Sequence, residues 1–209
     1  MILNSAGRLY VIAAPSGGGK TRLVRALLDQ DSKITVSISH TTRPARAQDK
    51  DGIDYFFVDN DKFDTMIAEN AFLEYAEVFG CRYGTSHSWV LEKLESGVDV
   101  ILEIDWQGAR QIKQLFPKVV TIFIIPPSLE VLLQRLQGRN QDSQDVIDHR
   151  MGKACSEIEH YYEFDYLLVN NEFDDLLNDM IHIVQSQRLK IDSQSDRFSL
   201  LLEELTKKH

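Results

Sequence analysis

Residues 14 to 21 read Ala-Pro-Ser-Gly-Gly-Gly-Lys-Thr and follow directly on the apolar run Leu9-Tyr10-Val11-Ile12-Ala13. A glycine-rich turn between a strand and a helix, ending in Lys-Thr, has the chemistry of a phosphate cradle. Gly17, Gly18 and Gly19 have no side chains to obstruct an anion, so successive backbone N–H groups can converge on phosphate oxygens. Lys20 brings a positive charge to the β and γ phosphates and the Thr21 hydroxyl can ligate Mg²⁺. The helix that follows adds its positive N-terminal dipole. The pattern departs from the generic G-x-x-x-x-G-K-[ST] at one point, Ala14 in place of the first glycine. The chain must therefore enter the loop with ordinary backbone angles.

Four more segments carry groups suited to a second, phosphorylated substrate. In Ser39-His40-Thr41-Thr42-Arg43-Pro44-Ala45-Arg46, Pro44 disfavours helix at Arg43 and keeps the segment extended. Its two guanidinium forks match the geometry and charge of a phosphate monoester dianion, and the Tyr55 hydroxyl can donate to the same group. In Phe72-Leu73-Glu74-Tyr75 a carboxylate sits among apolar neighbours, where it needs donors. The Watson–Crick edge of guanine offers adjacent N1–H and N2–H₂ donors to two carboxylate oxygens, whereas adenine N1 is an acceptor. Thr85 and Ser39 can donate to guanine O6. Such readout discriminates by roughly 10⁴-fold when the wrong partner leaves polar groups unpaired.

The third segment, Val100 to Gly108, is an apolar run that ends in Asp105. Ligands of open parallel sheets bind at the carboxyl ends of strands. Asp105 fits that position and equally a helix N-cap, and the two roles are compatible. Glu103 can reach Mg²⁺ through water. The fourth group is Arg135, Arg139 and Arg150, the first two spaced i, i+4. Mobile arginines stabilise the charge that spreads over a transferring phosphoryl group. Taken singly, each also fits a charged helix surface.

The elements that must position these residues follow from periodicity. Apolar runs at 8–13, 34–38, 99–104, 120–125 and 166–169 read as buried strands. Helices are expected from Thr21 to Leu28, Trp106 to Phe116, over 128–138 and from Phe173 to Ile191. Alternation of strand and helix implies a parallel sheet covered on both faces. Residues 37–95 break the rhythm and read as a mixed α/β insertion of short antiparallel strands with a helix near 60–70. A second, polar insertion at 131–155 is expected to be a lid. The tail from Ser193 to His209, with Phe198, Leu201, Leu202 and Leu205, reads either as a docked or intersubunit helix or as a frayed end.

The 209 residues are enough for one domain with insertions. A net charge of −9 leaves no basic excess to displace counterions, which argues against non-specific nucleic-acid binding. Two cysteines, Cys81 and Cys155, imply no disulfide framework and fit a reducing, cytoplasmic setting. No run approaches the ~18 apolar residues of a membrane span, and no signal-peptide pattern opens the sequence.

In order and spacing these motifs, with Asp54-Tyr55-Phe56-Phe57-Val58, Tyr83-Gly84-Thr85, Ile104-Asp105-Trp106-Gln107-Gly108 and Val169-Asn170-Asn171, closely resemble the bacterial guanylate kinases from residue 8 to about 190. The resemblance implies an α/β P-loop NTPase fold with three parts. These are a core (1–36, 96–130 and 156–209), an inserted GMP-binding subdomain (37–95) and a lid (131–155). It implies the reaction ATP + GMP ⇌ ADP + GDP with Mg²⁺, and with dGMP as a further acceptor. Its GMP-binding residues fall on Ser39, Arg43, Arg46, Tyr55, Glu74, Tyr83, Thr85 and Asp105. Its ATP-binding residues fall on Ala14, Pro15, Ser16, Gly17, Gly18, Gly19, Lys20, Thr21, Arg139 and Asn170. Its catalytic residues fall on Lys20, Arg43, Arg135, Arg139 and Arg150, and its metal ligand on Thr21. Asn140 stands where the family commonly has Gly, and Glu103 where it often has Asp. The expected partners are the two nucleotides, without nucleic acid or membrane, for a monomer or homo-oligomer. Two rivals are a non-catalytic phosphopeptide-binding scaffold domain of the same fold and a related kinase for a phosphorylated sugar. An intact Lys20 and Thr21 argue against the first. Glu74, Thr85 and Asp105 argue against the second.

Overall fold

The computed structural model describes residues 7–78, 80–138 and 144–207. Down the chain run β1 (Leu9–Ala13), α1 (Lys20–Gln30), β2 (Ile34–Val36), β3 (His40–Thr41), β4 (Phe56–Phe57), α2 (Asn60–Ala68), β5 (Phe72–Val78) and β6 (Cys81–Ser86). Then come α3 (His87–Glu95), β7 (Asp99–Glu103), α4 (Trp106–Leu115), β8 (Val120–Ile125), α5 (Leu129–Gln137), α6 (Gln144–Ile158), β9 (Tyr166–Val169), α7 (Phe173–Arg188), α8 (Ile191–Arg197) and α9 (Ser199–Thr206).

Among the described residues, five strands form a sheet in the order β2-β7-β1-β8-β9, and every pairing in it is parallel. Side chains alternate across a strand, so a strand covered on both faces must be apolar throughout. On β1, Tyr10 and Ile12 join Leu23, Leu27, Leu176, Met180 and Val184 of α1 and α7. Leu9 and Val11 face the other way, onto Val90 and Leu94 of α3 and Ala109 and Ile112 of α4. All five residues of β1 are buried, which is why the sequence shows a run rather than an alternation there.

The second sheet, β4-β3-β6-β5, is built within 40–86. Its strands differ from the expectation in one respect. β3–β6 and β5–β6 are antiparallel, but β3 and β4 run parallel. A long loop from 42 to 55 separates β3 from β4, which permits a crossover where a tight turn would have forced a hairpin. Two helices, α3 and α6, were not anticipated individually. The helix expected from Phe173 to Ile191 is interrupted: Lys190 is extended at ψ 148° and a new helix starts at Ile191. Side chains beyond the break take up the freed carbonyls, Gln194 Nε2 donating to Arg188 O at 2.8 Å and Ser193 Oγ to Gln187 O at 3.5 Å. Arg8 holds the new helix through Asp192 and Ser193. The tail is helical as α9, and Leu200, Leu201, Leu202 and Leu205 are exposed on it. No described helix is long and apolar enough to cross a membrane.

Candidate active site

The phosphate loop leaves the central strand β1 and ends in α1. Gly17 and Gly19 have φ of +86° and +95°, which a side chain resists, whereas Ala14 needs no such angle. The Gly18 N–H donates to Pro15 O at 2.8 Å and closes the turn. Asn170, just past β9, is buried and its Nδ2 donates to Gly18 O at 2.7 Å. A Cβ on Gly19 would lie 2.3 Å from that nitrogen, so residue 19 must be glycine for Asn170 to grip the loop. Leu132 and Leu136 of α5 support the loop at Gly17. Arg135, on the same helix, donates from Nη2 to Asn170 O at 3.1 Å. Its Nη1 is buried with no hydrogen-bond partner among the described residues.

Four carboxylates act on the charge of Lys20. Its Nζ donates to Ile104 O at 3.3 Å. Burial lowers the pKa of the ammonium, while Glu103, Asp105, Glu157 and Glu74 act in the opposite sense. Glu103 and Asp105 come from the end of β7, the neighbour of β1. The Thr21 hydroxyl donates to Glu103 Oε2 at 3.2 Å. Asp105 caps α4, its Oδ1 accepting from Gly108 N at 3.0 Å. Glu74 sits at a register shift between Phe72 and Glu74, opposite Thr85 on β6. Such an irregularity re-aims a side chain. Glu74 is 4% exposed. Its Oε1 accepts from Thr85 Oγ1 at 2.5 Å, and a Cβ on Gly108 would lie 2.7 Å from its Oε2. Burial pushes the Glu74 carboxyl up to about 7, against the Thr85 hydrogen bond and with the help of Asp105.

In the loop that follows β3, the Arg43 guanidinium donates to Asp49 Oδ2 at 2.8 Å and to Pro44 O at 3.0 Å. It lies 5.2 Å from the Tyr55 ring centre and 5.6 Å from that of Phe57. Tyr83 packs edge-on to Tyr55. Arg46 is exposed and contributes its backbone N–H to the same Asp49. Ser39 is half-buried at the foot of β3, where its carbonyl pairs with Phe56 N–H. Arg150 is half-buried on α6, whereas Arg139 and Asn140 lie outside the described residues.

Sequence reasoning missed Asp49, which orients Arg43, and Glu157, whose Oε2 accepts from Ser16 N–H at 3.3 Å. Asp49 could have been found as the first acid after the two arginines of a proline-stiffened loop. Glu157 gives no local signal, because its partner is 141 residues away.

A glycine-rich loop between the central strand of a parallel sheet and a helix, with Lys-Thr at its end and carboxylates on the adjacent strand, defines a P-loop NTPase-type α/β protein. The guanylate kinase family model matches residues 6–187, and the chain belongs to that family. It is 52% identical to a guanylate kinase of Coxiella burnetii over 200 residues, 96% of this chain and 97% of the relative. It is 51% identical to a guanylate kinase of Hydrogenovibrio crunogenus over 98% of this chain and 100% of the relative. The crystal structure of guanylate kinase from Anaplasma phagocytophilum superposes with a TM-score of 0.83 at 32% identity and covers both chains fully.

Proposed function

We propose that the protein transfers the γ-phosphoryl group of ATP to GMP, and to dGMP, giving ADP and the nucleoside diphosphate. Family membership supports a phosphotransferase with ATP as co-substrate. The observation that carries the choice of acceptor is Glu74. It is a buried carboxylate, hydrogen-bonded by Thr85, whose charge is felt by Lys20 of the phosphate loop. A purine edge with two adjacent donors satisfies such a group, and adenine does not. A sugar phosphate has no such edge. A phosphopeptide would leave Lys20 and Glu74 without a task.

On this reading Lys20 and the loop N–H groups hold the ATP phosphates, and Asn170 fixes the loop's shape. Arg43, held by Asp49, binds the acceptor phosphate with Arg46, Tyr55, Tyr83 and Ser39. Glu74, Thr85 and Asp105 read the base. Arg135 offers an unfilled buried N–H to an incoming phosphate, and Arg150 and Arg139 join it when residues 131–155 close over residues 37–95 and the core. The acceptor phosphate is already an anionic nucleophile near neutral pH, so no general base is needed. Positioning and charge stabilisation remain for the protein to supply. The Thr21 hydroxyl and the Glu103 carboxylate are adjacent hard oxygen donors. They fit Mg²⁺, with Thr21 as ligand and Glu103 acting through water. The ion would neutralise charge on the β and γ phosphates.

The test is ADP release from Mg-ATP across GMP, dGMP, AMP, CMP, UMP, a sugar phosphate and no acceptor. Turnover is expected with GMP and dGMP alone, and Lys20→Ala and Arg43→Ala should each cost about 10²–10³-fold in a folded chain. Turnover with a sugar phosphate only, or wild-type rates in both variants, contradicts the reading.

A further inference from the structure

Glu157 has no part in the mechanism above, yet of the three acids on α6 it alone is buried, at 8% exposure. A carboxylate leaves water only where something holds it. Here the holder is the Ser16 N–H, inside the phosphate loop, at 3.3 Å. Burial pushes the Glu157 carboxyl up, while Lys153 and Lys20 favour its charge and Asp105 opposes it. Arg150 and Glu157 are two helical turns apart and so share a face of α6. Ala154, between them, is fully buried with Leu132 and Leu136 of α5, the two residues that also pack on Gly17. α6 therefore meets the phosphate loop in two ways, through α5 and directly through Glu157. We propose that Glu157 is a positioning residue that latches α6 to the phosphate loop through the Ser16 N–H, so that the helix bearing Arg150 and the loop that holds ATP keep one fixed relation.

The inference rests on the reading of the loop as the ATP site, and its test separates the two. Glu157→Gln keeps an acceptor oxygen, whereas Glu157→Met fills a similar length without one. In nucleotide-free protein, amide hydrogen exchange over residues 14–19 should match wild type in Glu157→Gln and be about tenfold faster in Glu157→Met. In turnover, Glu157→Met should raise KM for ATP about tenfold and leave KM for GMP within about twofold, with Glu157→Gln within about threefold of wild type in both. Should Glu157→Met not fold, Glu157→Asp, one methylene short of Ser16, replaces it with the same expectations. Unchanged exchange in Glu157→Met, equal impairment of the two variants, or an equal rise in both KM values would overturn the latch. A wild-type protein without GMP turnover would instead overturn the functional reading, while the exchange comparison still decides the latch.

Discussion

The surroundings of Glu74 resist its charge. Burial holds the folded pKa at about 7, above the ordinary 4.5, so the folded state takes up a proton where the unfolded chain has released one. Stability of the free protein from this group is therefore greatest at low pH and is lost as pH rises between those two values. On the proposed role of Glu74, guanine binding has the opposite sign, because only the carboxylate accepts from two N–H donors. KM for GMP should rise about tenfold for each pH unit below about 7. The GMP phosphate titrates near pH 6 as well, so the control is Glu74→Gln, which keeps that ionisation. In Glu74→Gln, kcat/KM for GMP should fall about 10²-fold or more and the inflection near pH 7 should vanish. An inflection that survives in Glu74→Gln assigns it to another group. Position 74 was legible as a carboxylate among apolar residues. Its pairing with Thr85 was not, because the register shift beside Phe72 leaves no mark in the sequence.

Elements were legible where burial is two-sided. The strand run at 9–13 is apolar throughout, and that at 120–125 is apolar but for Thr121, because helices cover both faces. α3 escaped notice because it buries only Val90 and Leu94 and lacks a side-chain cap at Ser86. α6 is polar along most of its length and is recognisable through what α5 and the phosphate loop do to Ile147, Ala154 and Glu157. The junction of α7 and α8 was hidden for a similar reason. Arg188, at the end of α7, pairs with Asp31 at 2.5 Å and with Asp99 at 2.8 Å, tying α1 and β7 to the helix. The Asp99 side chain is only 8% exposed, so removing the guanidinium leaves a buried carboxylate with the Arg8 N–H at 2.7 Å but no opposite charge on its other oxygen. Arg188→Met should destabilise the fold by about 2–3 kcal/mol and lower the melting temperature by about 5–10 °C, with KM values unchanged in the folded fraction. A melting temperature within a degree of wild type would show the network to be neutral.

At the scale of the molecule, two sheets divide the work. The parallel sheet brings the phosphate loop, Glu103, Asp105 and Asn170 together at the carboxyl ends of β1, β7 and β9. The mixed sheet carries Glu74, Thr85 and the Arg43 loop toward them. The motifs of the parallel sheet were readable because each is contiguous and lies at a strand end. Contacts that join distant segments, such as Ser16 with Glu157 or Gly18 with Asn170, need the fold to be seen. The most direct measurement of the central claim is ³¹P NMR of one sample containing the protein, Mg-ATP and equal amounts of GMP and AMP. GDP and ADP β-phosphate resonances should grow together, each matching the loss of ATP and GMP, while AMP stays constant. Loss of AMP at a rate comparable to GMP, or loss of ATP with no GDP formed, would contradict the account.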